Sequence, residues 1–439
     1  MARLTAIAPV VFAALLAGAT SASVALPPSV PGIDAPQLAR LGPHQVGFRT
    51  IFLEHKNQPD LIGADAVTGQ VPLRTRRLKV DLWYPAKARP GAATMTYSAS
   101  LFGEPPRPSV RFNVRGLAIA NAGPAGRGYP LVILSHGYSN APAVMTWLTE
   151  NLASKGYVVA AIHHEDPNPY VISAEQRAAP NYYRPVDIAF AASVLRRQLD
   201  GLIDPAQLAL IGYSQGGYGV LAAGGASLDP NGPSMDLVAG GWMKRIARGS
   251  PQAAAGKVPG VKAIVALAPA GGLPRSAWGT EGLLDISAPM LLIQGDADPV
   301  VDYKTGALAV FENAKSSDRY LLTYRQAGHS IALNPAPLEM RSSLWDIDWF
   351  EDPIWRQDRV NAINLHFITA FLATHLRGEA SMRSFLDVPT ENSSEGTWDA
   401  PPGTPWGAFS PGGSGVTLWK GFQRRHAQGL VLRHAAVSP

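Results

Sequence analysis

The chain has 439 residues, 46% hydrophobic and 16% charged, which excludes intrinsic disorder and leaves ample material for a large core. Its net charge of +5 is scattered except at "RTRRLK" (74–79) and "QRRH" (423–426), and with no recognition module beside either cluster, no nucleic-acid partner is expected. The absence of cysteine excludes disulfides, thiolate metal sites and lipid-modified cysteines, and 43 Gly with 38 Pro but no long repeat period argue against a propeller or solenoid.

In chain order, Arg3, the apolar run from Ile7 to Ala17 and the small residues "SVA" before Leu26 predict a signal peptide over 1–25, cut after Ala25. The run is too short for an ordinary membrane span and no second one follows, so the expectation is a secreted or periplasmic protein with no stable membrane anchor. Residues 26–45 read as an extended arm, 46–378 as one domain, and 379–439, rich in Gly, Pro and Ser, as a tail wrapping the surface. "VGFRTIFLE" (46–54) and "RLKVDLWYPA" (77–86) are strand-like. In the second, Leu78, Val80 and Leu82 alternate with Arg77, Lys79 and Asp81, which predicts one solvated face.

From residue 129 the texture changes. "YPLVILSHG" (129–137) is a continuous apolar run ending in turn residues, as expected of a strand covered on both faces. A helix at 145–156, a strand at 157–164, a helix at 185–199 and a strand at 207–214 follow, then strands at "VKAIVALAPA" and "PMLLIQGDAD" and a helix at 363–378 carrying Phe367 and Phe371. This alternation predicts an α/β fold with a mostly parallel, doubly wound sheet and helices on both faces.

"LALIGYSQGGYG" (208–219) contains Gly-x-Ser-x-Gly at 212–216, a weak motif in so glycine-rich a chain. Its context carries the argument, because a strand runs into Gly212 and small helix-compatible residues follow Gly216. That arrangement puts Ser214 on a strained turn at the C-terminal edge of the sheet. A serine nucleophile needs a base, itself oriented by an acid. "GDADPVVD" (295–302) and "AGH" (327–329) each follow a strand, giving the order serine, aspartate, histidine of the α/β-hydrolase triad. Asp298 is the chosen acid, with Asp296 and Asp302 as fallbacks, and His329 the base. "LSHGYSN" ends an earlier strand, so the backbone N–H groups of Tyr138 and Gln215 are the candidate oxyanion donors. Tyr213, Trp345 and Trp349 are candidate pocket residues. No cofactor and no metal is called for: His163 and His164 of "HHEDPN" are adjacent on a strand end and so point to opposite faces.

These segments, with "RPVDIAFAASVL" and "INLHFITAFLATHLRG", resemble the α/β-hydrolases related to platelet-activating-factor acetylhydrolase and the dienelactone-hydrolase-like secreted esterases. The resemblance spans most of 46–378. It implies an α/β-hydrolase fold and hydrolysis of carboxylic esters through an acyl-enzyme without a cofactor. The expected substrate is a small-molecule or lipid ester and the expected state a monomer. Two departures matter. Dienelactone hydrolases use a cysteine nucleophile, absent here, and "ALAPAGG" (266–272) lacks the carboxylate that the acetylhydrolase places after that strand. A serine peptidase of the same fold and a non-catalytic binding protein are the alternatives. The segments 223–258 and 343–355 are candidate covers of the site.

Overall fold

The computed structural model describes residues 26–65, 67–272, 277–398, 401–405 and 415–438; the predicted signal peptide lies outside them. Strands in chain order are β1 (Gln45–Pro59), β2 (Leu73–Lys87), β3 (Thr96–Leu101), β4 (Val110–Arg115), β5 (Ile119–Ala120), β6 (Gly123–Pro124), β7 (Tyr129–Ser135), β8 (Val158–His163), β9 (Ile203–Tyr213), β10 (Ala263–Leu267), β11 (Met290–Gly295), β12 (Arg319–Tyr324) and β13 (Leu430–Ala435). The α-helices are α1 (Thr146–Ser154), α2 (Ala174–Ala178), α3 (Pro180–Gln198), α4 (Gln215–Ala223), α5 (Trp242–Arg245), α6 (Gly279–Leu283), α7 (Ala307–Asn313), α8 (Leu344–Phe350) and α9 (Gln357–His375).

The main sheet has the order β13-β12-β11-β10-β9-β7-β8-β2-β1-β5, with β6 on β2, while β3 and β4 form a separate hairpin. Pairing is parallel from β12 through to β8 and antiparallel where β13, β2 and β1 extend the edges. The parallel centre is covered on both faces, which explains the unbroken apolar run of β7, where every residue from Pro130 to Ser135 is buried. Strand alternation divides it: Val132 and Leu134 pack with Trp147 of α1 and Phe367 and Phe371 of α9, whereas Leu131 and Ile133 pack with Ile188 of α3 and Leu221 of α4. Each such fully buried aliphatic side chain contributes about 1.5–3 kcal/mol. β8 and β9 flank β7 on opposite sides, so the chain direction across the sheet reverses between β7 and β9. Ligands of open α/β sheets bind at the C-terminal ends of such a pair.

Three expectations are corrected. Residues 379–439 do more than wrap the surface: Leu430–Ala435 pair with β12 as the sheet's last strand, and Trp419 and Phe422 lie in the core. Their alternating "LVLRHA" was short enough to be lost among the surrounding glycines and prolines. The face of β2 taken as solvated exposes Arg77 and part of Lys79 but buries Asp81, and Arg76, on the same face as Leu78 and Val80, is a buried charge as well. Arg76 pairs with Asp187 of α3 at 2.8 Å, and Asp81 accepts from Thr50 and bonds His163. Last, α3 begins before its predicted start because Pro180 sits in its first turn, where a missing N–H costs nothing. The arm at 26–45 is packed down, with the Ser29 hydroxyl donating to the buried Glu150 of α1 at 2.6 Å.

Candidate active site

β9 passes through Tyr213 into Ser214, which has φ 54° and ψ −117° and caps α4. A non-glycine residue rarely takes this conformation, and its neighbours explain how it persists. A Cβ on Gly212 would lie 2.1 Å from the Gly216 carbonyl oxygen, and one on Gly216 would lie 2.0 Å from that of Ser135. The turn therefore closes only with glycine at both positions, and it packs directly on the end of β7.

The loops after β11 and β12 bring Asp298 and His329 to Ser214. His329 Nε2 lies 3.0 Å from Ser214 Oγ, and Nδ1 lies 2.7 Å from Asp298 Oδ2. A carboxylate only accepts, so Nδ1 carries the proton and Nε2 is left to accept the serine hydroxyl. Asp298 is pinned as well: Oδ1 accepts the backbone N–H groups of Val300 and Val301, and Gln294 Nε2 donates to Oδ2. The fallback aspartates are engaged elsewhere, Asp296 with Gln326 N and Arg325, and Asp302 with Thr305 N.

Gln215 opens α4, so its N–H has no acceptor within the helix. Tyr138 follows the end of β7 and lines both cavities that meet at Ser214. The larger, about 840 Å³, includes His329, Tyr213, Tyr170, Trp345 and Trp349, and among the described residues no lysine or arginine lines it. The smaller, about 430 Å³, includes Gln215, Tyr218, Leu237 and Ala270. Segment 223–258 thus reaches the smaller cavity through Ser234 and Leu237, and 343–355 reaches the larger through α8. The α8 segment is tied to the histidine loop: Ser330 Oγ donates to the Asp348 carbonyl and Gly328 N to Asp352, both at 2.6 Å. Trp345 and Trp349 are set edge to face with centroids 6.3 Å apart, whereas Phe350 and Trp355 belong to the core. The buried Tyr213 hydroxyl donates to the His329 carbonyl, and burial together with the Asp298 charge pushes that phenol's pKa far up.

His163 and His164 serve different groups. His163 bonds Asp81, while His164 lies between Ser135 Oγ (3.0 Å) and Asp187 (3.2 Å). Among the described residues no group of three or more His, Asp or Glu is arranged to hold a metal ion. Burial is the largest influence on His164, and with the Arg184 charge it holds the imidazole down at about 3. Burial alone would raise the Asp187 carboxyl, but the Arg76 charge and the bond from His164 bring it to about 2. Sequence reasoning passed over this network and over Arg184 of α3, which reaches under the turn that follows β7. Only the density of charge in "HHEDPN" hinted at it.

The fold is that of an α/β-hydrolase. Residues 36–182 match the family model of platelet-activating factor acetylhydrolase, isoform II. That stretch holds β1 to β8 and the turn at Tyr138, and stops before Ser214, Asp298 and His329. No curated protein matches the chain.

Proposed function

We propose that this protein hydrolyses carboxylic esters through an acyl-enzyme on Ser214. The observation that carries the reading is the single imidazole of His329 bridging Ser214 Oγ at 3.0 Å and Asp298 at 2.7 Å, and the similarity to an acetylhydrolase family points the same way. Nε2 takes the hydroxyl proton as Oγ attacks the carbonyl carbon, and the Asp298 charge steadies the imidazolium that forms. Negative charge on the carbonyl oxygen is met by the Tyr138 and Gln215 N–H groups. His329 returns the proton to the leaving alcohol, and water repeats the sequence to release the acid.

Because the proton reaches the leaving oxygen from Nε2, the alcohol belongs in the cavity that His329 lines, and the acyl group in the smaller one beside Gln215. The aromatic wall of the larger cavity suits a bulky apolar alcohol, as in a lipid ester. Export through cleavage after Ala25 completes the proposal. Purified protein is expected to turn over p-nitrophenyl butyrate and to be labelled at Ser214 by a fluorophosphonate. Ser214→Ala and His329→Ala should each lower kcat by about 10⁴-fold or more. A Ser214→Ala protein that kept its turnover would sink the mechanism.

A further inference from the structure

The Tyr138 N–H can meet an oxyanion only if its peptide is turned the right way. The turn Gly137–Asn140 has no helix or strand to hold it beyond its own Asn140 N–H to Gly137 carbonyl bond at 3.3 Å, and Ser139 adopts φ 55°. A buried cation adds to that bond. Arg184, wholly enclosed, donates from Nη2 to the Gly137 carbonyl at 3.1 Å and from Nη1 to the His136 carbonyl and to Ser135 Oγ. His136 supplies a second donor to the same Gly137 oxygen, from Nδ1 at 2.7 Å, while its Nε2 accepts the His164 N–H at 3.2 Å. Only the neutral Nδ1–H tautomer makes both bonds. Burial and the neighbouring Arg184 charge press His136 far below the usual histidine range, which keeps it in that form.

The Gly137 carbonyl and the Tyr138 N–H belong to one planar trans peptide, so they point in opposite directions. Arg184 and His136, with the turn's own Asn140 N–H, hold the oxygen inward and therefore aim the N–H outward, to the side on which Tyr138 and Ser214 share their cavities. A flipped peptide would strand Arg184 and His136 against an N–H in a buried site, leaving both donors without their acceptor. The guanidinium is itself held by Asp166, whose Oδ2 also accepts Ser139 N at 2.9 Å, so both ends of the turn are fixed to one ion pair. Arg184 is also placed by the helix that carries Gln215: a Cβ on Gly219 of α4 would lie 2.9 Å from its Cβ.

We propose that Arg184 and His136 are positioning residues that lock the Gly137–Tyr138 peptide with its N–H toward the reacting carbonyl oxygen, and that the Arg184 charge strengthens that donor by polarising the peptide. The inference rests on the ester-hydrolase reading and extends it to residues that never touch substrate.

The test compares wild type, Arg184→Met and His136→Phe with p-nitrophenyl butyrate, a trifluoromethyl ketone that forms a tetrahedral adduct on serine, and the matching unreactive ether. Wild-type turnover and Ser214 labelling come first, since their absence would refute the function reading itself. Arg184→Met should then lower kcat about 10²-fold with KM within threefold. Affinity for the ketone should fall by the same factor while ether affinity holds. His136→Phe, which strands no charge, should show the same pattern at roughly tenfold. A purely structural role would lower both affinities with the folded fraction, and unchanged ketone affinity in a folded variant overturns the proposal. Should neither variant fold, a crystal structure of the wild-type ketone adduct decides. The expected oxyanion lies within hydrogen-bond reach of Tyr138 N with Gly137 O still on Arg184, and an oxyanion bound elsewhere refutes the lock.

Discussion

Asp298→Asn tests the orienting role of the carboxylate by changing one atom. Oδ1 accepts from Val300 N and Val301 N at 2.8 and 2.9 Å, while Oδ2 faces His329 Nδ1 at 2.7 Å and Gln294 Nε2 at 3.1 Å. The new amide has one oxygen and one NH₂. Turning the NH₂ toward the two backbone N–H groups would leave both unpaired in a buried loop, at about 1–3 kcal/mol each. The oxygen therefore stays with the backbone and the NH₂ faces His329. An NH₂ can only donate, so Nδ1 must give up its proton and Nε2 must carry it. That tautomer presents a donor to Ser214 Oγ and cannot receive the hydroxyl proton. The expected result is a kcat lower by about 10⁴-fold, or about 5 kcal/mol of transition-state stabilisation, with KM and melting temperature little changed. Steady-state kinetics on p-nitrophenyl butyrate measures it. Asp298→Ala frees the ring to adopt either tautomer and should retain at least as much activity, although it matches the shape less well. An Asp298→Asn enzyme with more than about a tenth of wild-type kcat would refute the tautomer argument.

Trp349→Ala should raise KM for a 2-naphthyl ester roughly tenfold by removing one wall of the larger cavity, with the methyl ester of the same acid unaffected. Equal effects on both esters would reverse the assignment of alcohol and acyl cavities. Lys155 of the α1 terminus donates to Leu38 O and Thr369 Oγ1, and burial with the nearby Arg377 charge brings its pKa down to about 7. The unfolded chain holds that proton up to about pH 10.5, so between the two values unfolding takes up a proton and stability rises with pH. In urea titrations the stability of wild type relative to Lys155→Met should climb from pH 7 toward pH 10 by up to about 1.4 kcal/mol per unit. A flat difference would place the ammonium in water.

What the sequence made legible was local. The parallel strands announced themselves as apolar runs because both of their faces are covered, and Ser214 stood out because strand, glycines and small helix residues meet within twelve positions. Asp298 and His329 followed from where strands end, since a turn's offset from its strand fixes which side chains can reach a neighbour. Arg184 carried no such mark. Its role depends on α3 crossing beneath β7, and the choice of Asp166 over other acids as its partner is made by the assembled fold. Asp81 misled for a related reason: alternation predicts which face a strand residue takes, and says nothing of whether that face meets water or the polar side chains of neighbouring strands, here Thr50 and His163. β13 was missed because its partner strand lies far away in the chain.

That last strand has a consequence for how the protein comes into being. β12 has β11 on one side from early on, but its other edge, facing β13, waits for residues 430–435. Until they arrive, a row of backbone N–H and C=O groups is open on a strand rich in leucine and tyrosine, the kind of edge that recruits other chains. Translation that halts shortly before Leu430 would yield a chain with Ser214, Asp298 and His329 all present and a strong tendency to precipitate. For this molecule the final stretch decides solubility at birth rather than chemistry.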